Sequence, residues 1–191
     1  MNRNSVILVG LIIIYSATIL VTCDNPEEEV EPLNYTDIDG NVYSSVIIGE
    51  QEWMVENLLV TRYRNGDTIS TGYIDVDWLD LTEGAYCAFG DDEANVEIYG
   101  RLYNGHAVLD PRNIAPRGWR VPTYENWEEL MDYLDRDTAL NALIDSGSIY
   151  WTEYHQGNNS SGFTALPSGI RADVYFALGT ETIFWASTVA T

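Results

Sequence analysis

Between Val6 and Val21 the chain reads VILVGLIIIYSATILV, an almost wholly apolar run behind a polar start, Met1–Ser5, that carries Arg3. This run settles how much of the remainder can be a folded domain. A basic start followed by an apolar stretch is the pattern of an export signal. At 16 residues the run falls short of the ~20 that span a bilayer comfortably, which favours a removed leader over a permanent anchor helix. After Cys23 comes Asp24-Asn25-Pro26-Glu27-Glu28-Glu29-Val30-Glu31-Pro32. Its like charges repel and its prolines block helix, so it reads as an extended, solvated tether. The expected organisation is a leader over 1–22, an acidic tether over 23–34 and one domain over 35–191, long enough for a single buried core.

The charge balance narrows the choice of partners. There are 30 acidic residues against 9 basic ones, all arginine, for a net charge of -21. A nucleic-acid partner is excluded, because phosphate contacts need basic side chains. Adhesion to an anionic bilayer through a basic patch is excluded on the same ground. Two cysteines, Cys23 and Cys87, form neither a zinc-type cluster nor a disulfide framework. No HExxH, GxSxG, Walker or dinucleotide glycine motif occurs. His106 and His155 have no second histidine at ligand spacing.

From Tyr35 onward the pattern is that of short strands and long loops. Asp39-Gly40 signals a tight turn. Val42–Ile48, closed by Gly49-Glu50, and Glu52–Val55 read as the two arms of a hairpin, with Asn57–Val60 continuing the sheet. Residues 61–100 are rich in turns with brief aromatic stretches between them. Thr123 is a good N-cap for a helix over about 124–134, where Trp127, Leu130, Met131 and Leu134 form one apolar stripe at i, i+3, i+4 and i+7. A second, shorter helix is expected over about 137–145, with Ala139, Leu140, Leu143 and Ile144 as its stripe and Gly147 past its end. Gly157–Gly162 is a loop, and short strands follow. The fold class is therefore α+β.

Two resemblances sharpen this reading. Leu20-Val21-Thr22-Cys23 resembles the lipobox of bacterial lipoproteins, although Thr22 stands where Gly, Ala or Ser is usual. The resemblance implies that Cys23 is lipidated and becomes the first residue of a lipoprotein of a Gram-negative envelope, held in the outer membrane and exposed at the surface. Acyl chains at Cys23 bury enough methylenes for stable anchoring. The acidic run just behind Cys23 also resembles the surface-export signal of some Gram-negative groups.

The domain itself is similar to the Fibrobacter succinogenes major paralogous domain. The matching segments run in family order: Asp37–Tyr43, Trp53–Leu58, Gly84–Cys87, Tyr99–Asn104, Pro116–Thr123, Gly162–Arg171 and Phe184–Thr188. The resemblance implies a C-type-lectin-like fold, related to that of formylglycine-generating enzymes, with a twisted, mainly antiparallel sheet, two helices and long loops. Family members are typically exported, often lipoproteins, with no assigned activity. Three departures stand out. Ala115 replaces a frequent cysteine, Gly105-His106 replaces frequent aromatics, and the family pattern continues past Phe184–Thr188 with sheet-completing strands and a late cysteine. The expectation is a domain incomplete at its C-terminus, with an open edge on the N-terminal hairpin and Cys87 deprived of a pairing partner. The cysteine pair of the oxidase relatives is missing, so that activity is not carried over.

Two sets of candidate site residues remain. Tyr73, Trp78, Tyr86 and Phe89 lie in the loop-rich region and could stack on a ligand. Trp53, Trp119, Trp127 and Trp185 lie in structural segments and are read as core. Asp91, Asp92 and Glu93 supply hard oxygen ligands for a possible calcium ion, without EF-hand spacing; no other cofactor is expected. Asp37-Ile38-Asp39-Gly40-Asn41 also looks like a calcium loop, but a hairpin turn explains it better. The favoured function is a non-catalytic binding module for a glycan or a surface protein. Its rivals are a divergent hydrolase or oxidase using the acidic loop, and a structural or adhesion component.

Overall fold

Asp37 organises the start of the domain. Its carboxylate is buried and accepts hydrogen bonds from the backbone N–H of Asp39 (2.8 Å) and Asn41 (2.9 Å), from Asn41 Nδ2 (2.8 Å) and from the Tyr43 hydroxyl (2.6 Å). A short acidic side chain that captures its own downstream amides makes a tight turn. Here it joins β1 (Tyr35–Thr36) to β2 (Val42–Tyr43). The hairpin reading of 37–41 therefore holds, and its oxygens are occupied by the chain. The computed structural model describes residues 35–147, 149–152 and 157–188. Cys23, the apolar leader, the tether and His155 lie outside them.

The expected strand 42–48 is broken at Ser44. Its N–H and hydroxyl both donate to Glu56, at 2.7 Å each, and the chain resumes as β3 (Ser45–Ile48), paired with β4 (Gln51–Met54) from Ser45 opposite Met54 to Ile48 opposite Gln51. The turn between them needs Gly49. Its φ is 63°, and a Cβ there would sit 2.9 Å from the Tyr133 ring. The region after β4 is loop, not the continuing strand that Asn57–Val60 suggests. It is followed by the single-turn α1 (Asp75–Trp78), β5 (Tyr86–Cys87), two 3-10 turns, α2 (Val96–Tyr99), β6 (Leu102–Tyr103) and α3 (Gly105–Val108).

The clearest helix appears where expected, as α4 (Tyr124–Tyr133). Thr123 and Asn126 cap it reciprocally: Thr123 N–H donates to Asn126 Oδ1 at 2.9 Å, and Asn126 N–H donates to Thr123 Oγ1 at 3.3 Å. Its stripe packs on Trp53, Ile48 and Phe163. The second helix, α5 (Ala139–Leu143), is shorter than expected. Ile144 leaves it to form a parallel bridge with Ala165, held by Ala165 N–H to Leu143 O (2.8 Å) and Asp145 N–H to Ala165 O (3.1 Å). The buried stripe of α5 is Ala139, Ala142 and Leu143, whereas Leu140 is 63% exposed. β7 (Ser168–Arg171) and β8 (Tyr175–Leu178) form the last hairpin.

The α+β class stands, but the expected continuous sheet does not. Among the described residues, β1–β8 form four separate two-stranded antiparallel sheets. Each strand is short, and the segments between them spend their backbone hydrogen bonds on turns and loop contacts. The interior is divided accordingly. One cluster gathers Val60, Tyr63, Ile69, Tyr103, Val108 and Ile114. A second surrounds Trp53, Leu130 and Phe163, and a third surrounds Trp78, Ala85 and Cys87.

Candidate binding cleft

An open cleft of about 1200 Å³ lies between the first two clusters. One wall is Glu50, β4 and the chain after it to Leu58; another is Arg101 with β6; the floor comes from 114–123, α4, 163–171 and 182–187. The wall at Leu58 closes tightly on β6. Arg101 N–H donates to Leu58 O at 3.0 Å, and a Cβ on Gly100 (φ 74°) would stand 2.5 Å from Asn57 Cβ, so this approach requires glycine.

Aromatic rings dominate the floor. Trp127 lies 4.7 Å from Trp53 and 5.5 Å from Phe184, and Phe163 meets Phe184 edge-on at 5.5 Å. Trp185 bridges the two clusters: its indole N–H donates to Tyr103 O at 3.0 Å, while its own carbonyl accepts from Trp127 Nε1 at 3.1 Å. The residue nevertheless stays 47% exposed. The segment behind it is clamped to the start of α4 by Ser187 N–H to Pro122 O (2.8 Å) and Tyr124 N–H to Thr188 Oγ1 (2.9 Å). Trp119, also in the lining, is buried with no acceptor for its indole N–H among the described residues. The four tryptophans read from sequence as core thus divide: Trp53 and Trp119 are buried, Trp127 is half-buried and Trp185 is open, and all four line the cleft.

The aromatics proposed from sequence lie elsewhere. None of Tyr73, Trp78, Tyr86 and Phe89 lines the cleft. Trp78 is buried against Ala85 and Cys87. The Arg171 guanidinium sits 5.1 Å from the Trp78 ring and 4.0 Å from that of Tyr175. Arg101 lies over Tyr86 at 4.8 Å. Phe89 packs on Tyr175 at 5.2 Å, and the Tyr73 hydroxyl donates to Glu83 at 2.6 Å. Cys87, at the centre of this cluster, is a buried free thiol whose pKa burial pushes up.

The acidic triplet does not converge on a metal. Asp91 accepts from the Tyr175 hydroxyl at 2.6 Å, Asp92 caps Ala94 N–H at 3.0 Å, and Glu93 pairs with Arg101 at 2.9 Å. The Arg101 hydrogen bonds hold the Glu93 carboxyl below its usual range. The three neighbours, read from sequence as possible calcium ligands, face three different partners. Among the described residues, no group of three or more His, Cys, Asp or Glu side chains is placed to hold a metal ion.

An α+β domain of short hairpins around an open aromatic cleft is the class these features define. The chain belongs to the Fibrobacter succinogenes major domain family, whose model matches residues 46–191. No curated protein and no solved structure matches it significantly. Among the described residues, no helix is long and apolar enough to cross a membrane. No local periodicity marks the cleft in the sequence, because its lining comes from segments as far apart as Glu50 and Ser187.

Proposed function

We propose that the protein is a non-catalytic binding module of C-type-lectin-like fold, anchored at the cell envelope through a lipidated Cys23, and that the cleft is its ligand site. The observation that carries the reading is the cleft itself: an open, aromatic-floored concavity with a half-exposed Trp185 has the form of a ligand site. The two helices, short hairpins and long loops support the fold assignment, and the apolar run ending in Leu20–Cys23 supports the anchor. Two measurements test the proposal. Titration with soluble glycans and envelope peptides, followed by tryptophan fluorescence, should give saturable binding that Trp185→Ala weakens about tenfold or more. Metabolic labelling with a palmitate analogue should tag the wild-type chain and leave Cys23→Ala unlabelled. A protein silent to every ligand, or labelled equally without Cys23, would remove the corresponding half of the proposal.

A further inference from the structure

Two pairs of tyrosines meet ring to ring among the described residues. Tyr86 and Tyr103 lie with ring centroids 6.4 Å apart, but Tyr103 is buried and the Arg101 guanidinium covers Tyr86 at 4.8 Å. Tyr99 and Tyr150 lie 6.0 Å apart with their planes at 78°, and both are only half-buried. The backbones that carry this second pair are held in place. Tyr99 ends α2, where its carbonyl accepts from Asn57 Nδ2 at 3.0 Å. Tyr150 precedes Trp151, which is buried with its indole N–H on Ala165 O at 3.2 Å. Next comes Thr152, whose N–H and hydroxyl both donate to Gly179 O, at 2.8 and 3.1 Å. This approach requires glycine at 179, where φ is 81° and a Cβ would stand 2.8 Å from Thr152 Cγ2. Burial, and then the Tyr150 hydroxyl nearby, push the Tyr99 phenol above its ordinary value, so it keeps its proton at neutral pH. No disulfide ties the described residues, since Cys87 is a buried free thiol.

We propose that Tyr99 and Tyr150 form an oxidative modification site, at which a peroxide-fed one-electron oxidant joins the two rings into a dityrosine bond. This goes beyond the reading of the cleft as a ligand site and does not depend on it. Each phenol gives up one electron and its hydroxyl proton. The two phenoxyl radicals couple through the ring carbons next to the oxygen-bearing carbons. The hydrogens on the coupled carbons then move to the oxygens, which restores both phenols. The two electrons and two protons removed reduce one hydrogen peroxide to two waters. The fold contributes proximity: rings already in contact couple without having to meet by diffusion. The Tyr86–Tyr103 pair is not equivalent, because one ring is closed to an oxidant and the other lies under a guanidinium. The product ties α2 to the segment after α5, and it restricts the unfolded chain as a disulfide does. It supplies a covalent tie where the described residues hold no disulfide.

The test uses the full chain in detergent with a haem peroxidase and limiting hydrogen peroxide. The monomer should gain dityrosine emission. Mass spectrometry of its digest should show the Tyr99 peptide joined to the Tyr150 peptide with the loss of two hydrogens. The yield per chain should hold constant on about tenfold dilution, because the coupling is intramolecular. In urea above the unfolding midpoint, the yield of that joined peptide in the monomer should fall about tenfold or more, because the contact is gone. Tyr99→Phe and Tyr150→Phe keep the ring contact and remove one phenol. Each should lose the joined peptide with native circular dichroism retained, whereas Tyr86→Phe should keep it. If a phenylalanine variant unfolds, the urea comparison carries the test. A joined peptide found only in dimers, a yield that falls on dilution, or an equal yield in urea overturns the proposal. So does its absence from a wild-type chain whose exposed Tyr133 couples to added free tyrosine under the same conditions.

Discussion

Two aromatic regions of this protein are built from similar residues and behave differently. Around Trp78 the rings are covered: Arg171 lies on Trp78 and Tyr175, Arg101 on Tyr86, and Tyr175 on Phe89. Around Trp53 the rings pack on one another and on Ile48, Leu130 and Leu143, and beyond Trp185 there is space. Aromatic content therefore does not make a site. An arginine that carries its charge onto a ring face closes that face while lending its stem to the core. In a chain with only 9 basic residues, where the arginines go decides which aromatics remain available.

The comparison can be broken most severely at Trp53. Trp53→Ala deletes a buried ring that holds α4 to the β3–β4 hairpin, and should cost about 3–5 kcal/mol in urea unfolding. A loss below about 1 kcal/mol would mean that the cleft floor is not a core. Next is Arg101→Ala, which uncovers Tyr86, frees Glu93 and removes the bond from Arg101 Nε to Leu59 O at 3.1 Å. About 2 kcal/mol is expected, mostly from the ring contact and the carbonyl, because Glu93 is 71% exposed. If the variant gains ligand affinity at Tyr86, the covered region was a site held shut.

A smaller effect comes with acid. Hydrogen bonds from Arg112 hold Asp110 at about 2, against an ordinary 3.8, and Arg101 lowers Glu93 from 4.5. Folded values below unfolded ones contribute stability that is complete above the unfolded pKa and lost as pH falls through the folded one. The urea midpoint should therefore decline between about pH 5 and pH 2, and Arg112→Ala should flatten that decline. The smallest change in stability belongs to Trp185→Ala, about 1 kcal/mol or less, since the residue is already about half exposed. That variant should nonetheless weaken any cleft ligand. Stability loss comparable to Trp53→Ala would place Trp185 in the core and close the site.

Much of the local architecture was legible in the sequence, and the reasons are local. Thr123 with its apolar stripe specifies α4, Gly49-Glu50 specifies the β3–β4 turn, and Asp37–Asn41 specifies a hairpin turn, because each depends on residues a few positions apart. The limits of α5 were not legible. Ile144 leaves the helix for Ala165, a partner about twenty positions away along the chain, and Leu140 is turned outward by packing rather than by period. The α+β class and the segment pattern of the family followed from the order of residues. Which tryptophans are covered, and where Asp91, Asp92 and Glu93 each turn, were decided by tertiary structure. Each of those depends on where a distant arginine, tyrosine or strand comes to rest, and no periodicity in the chain records that distance.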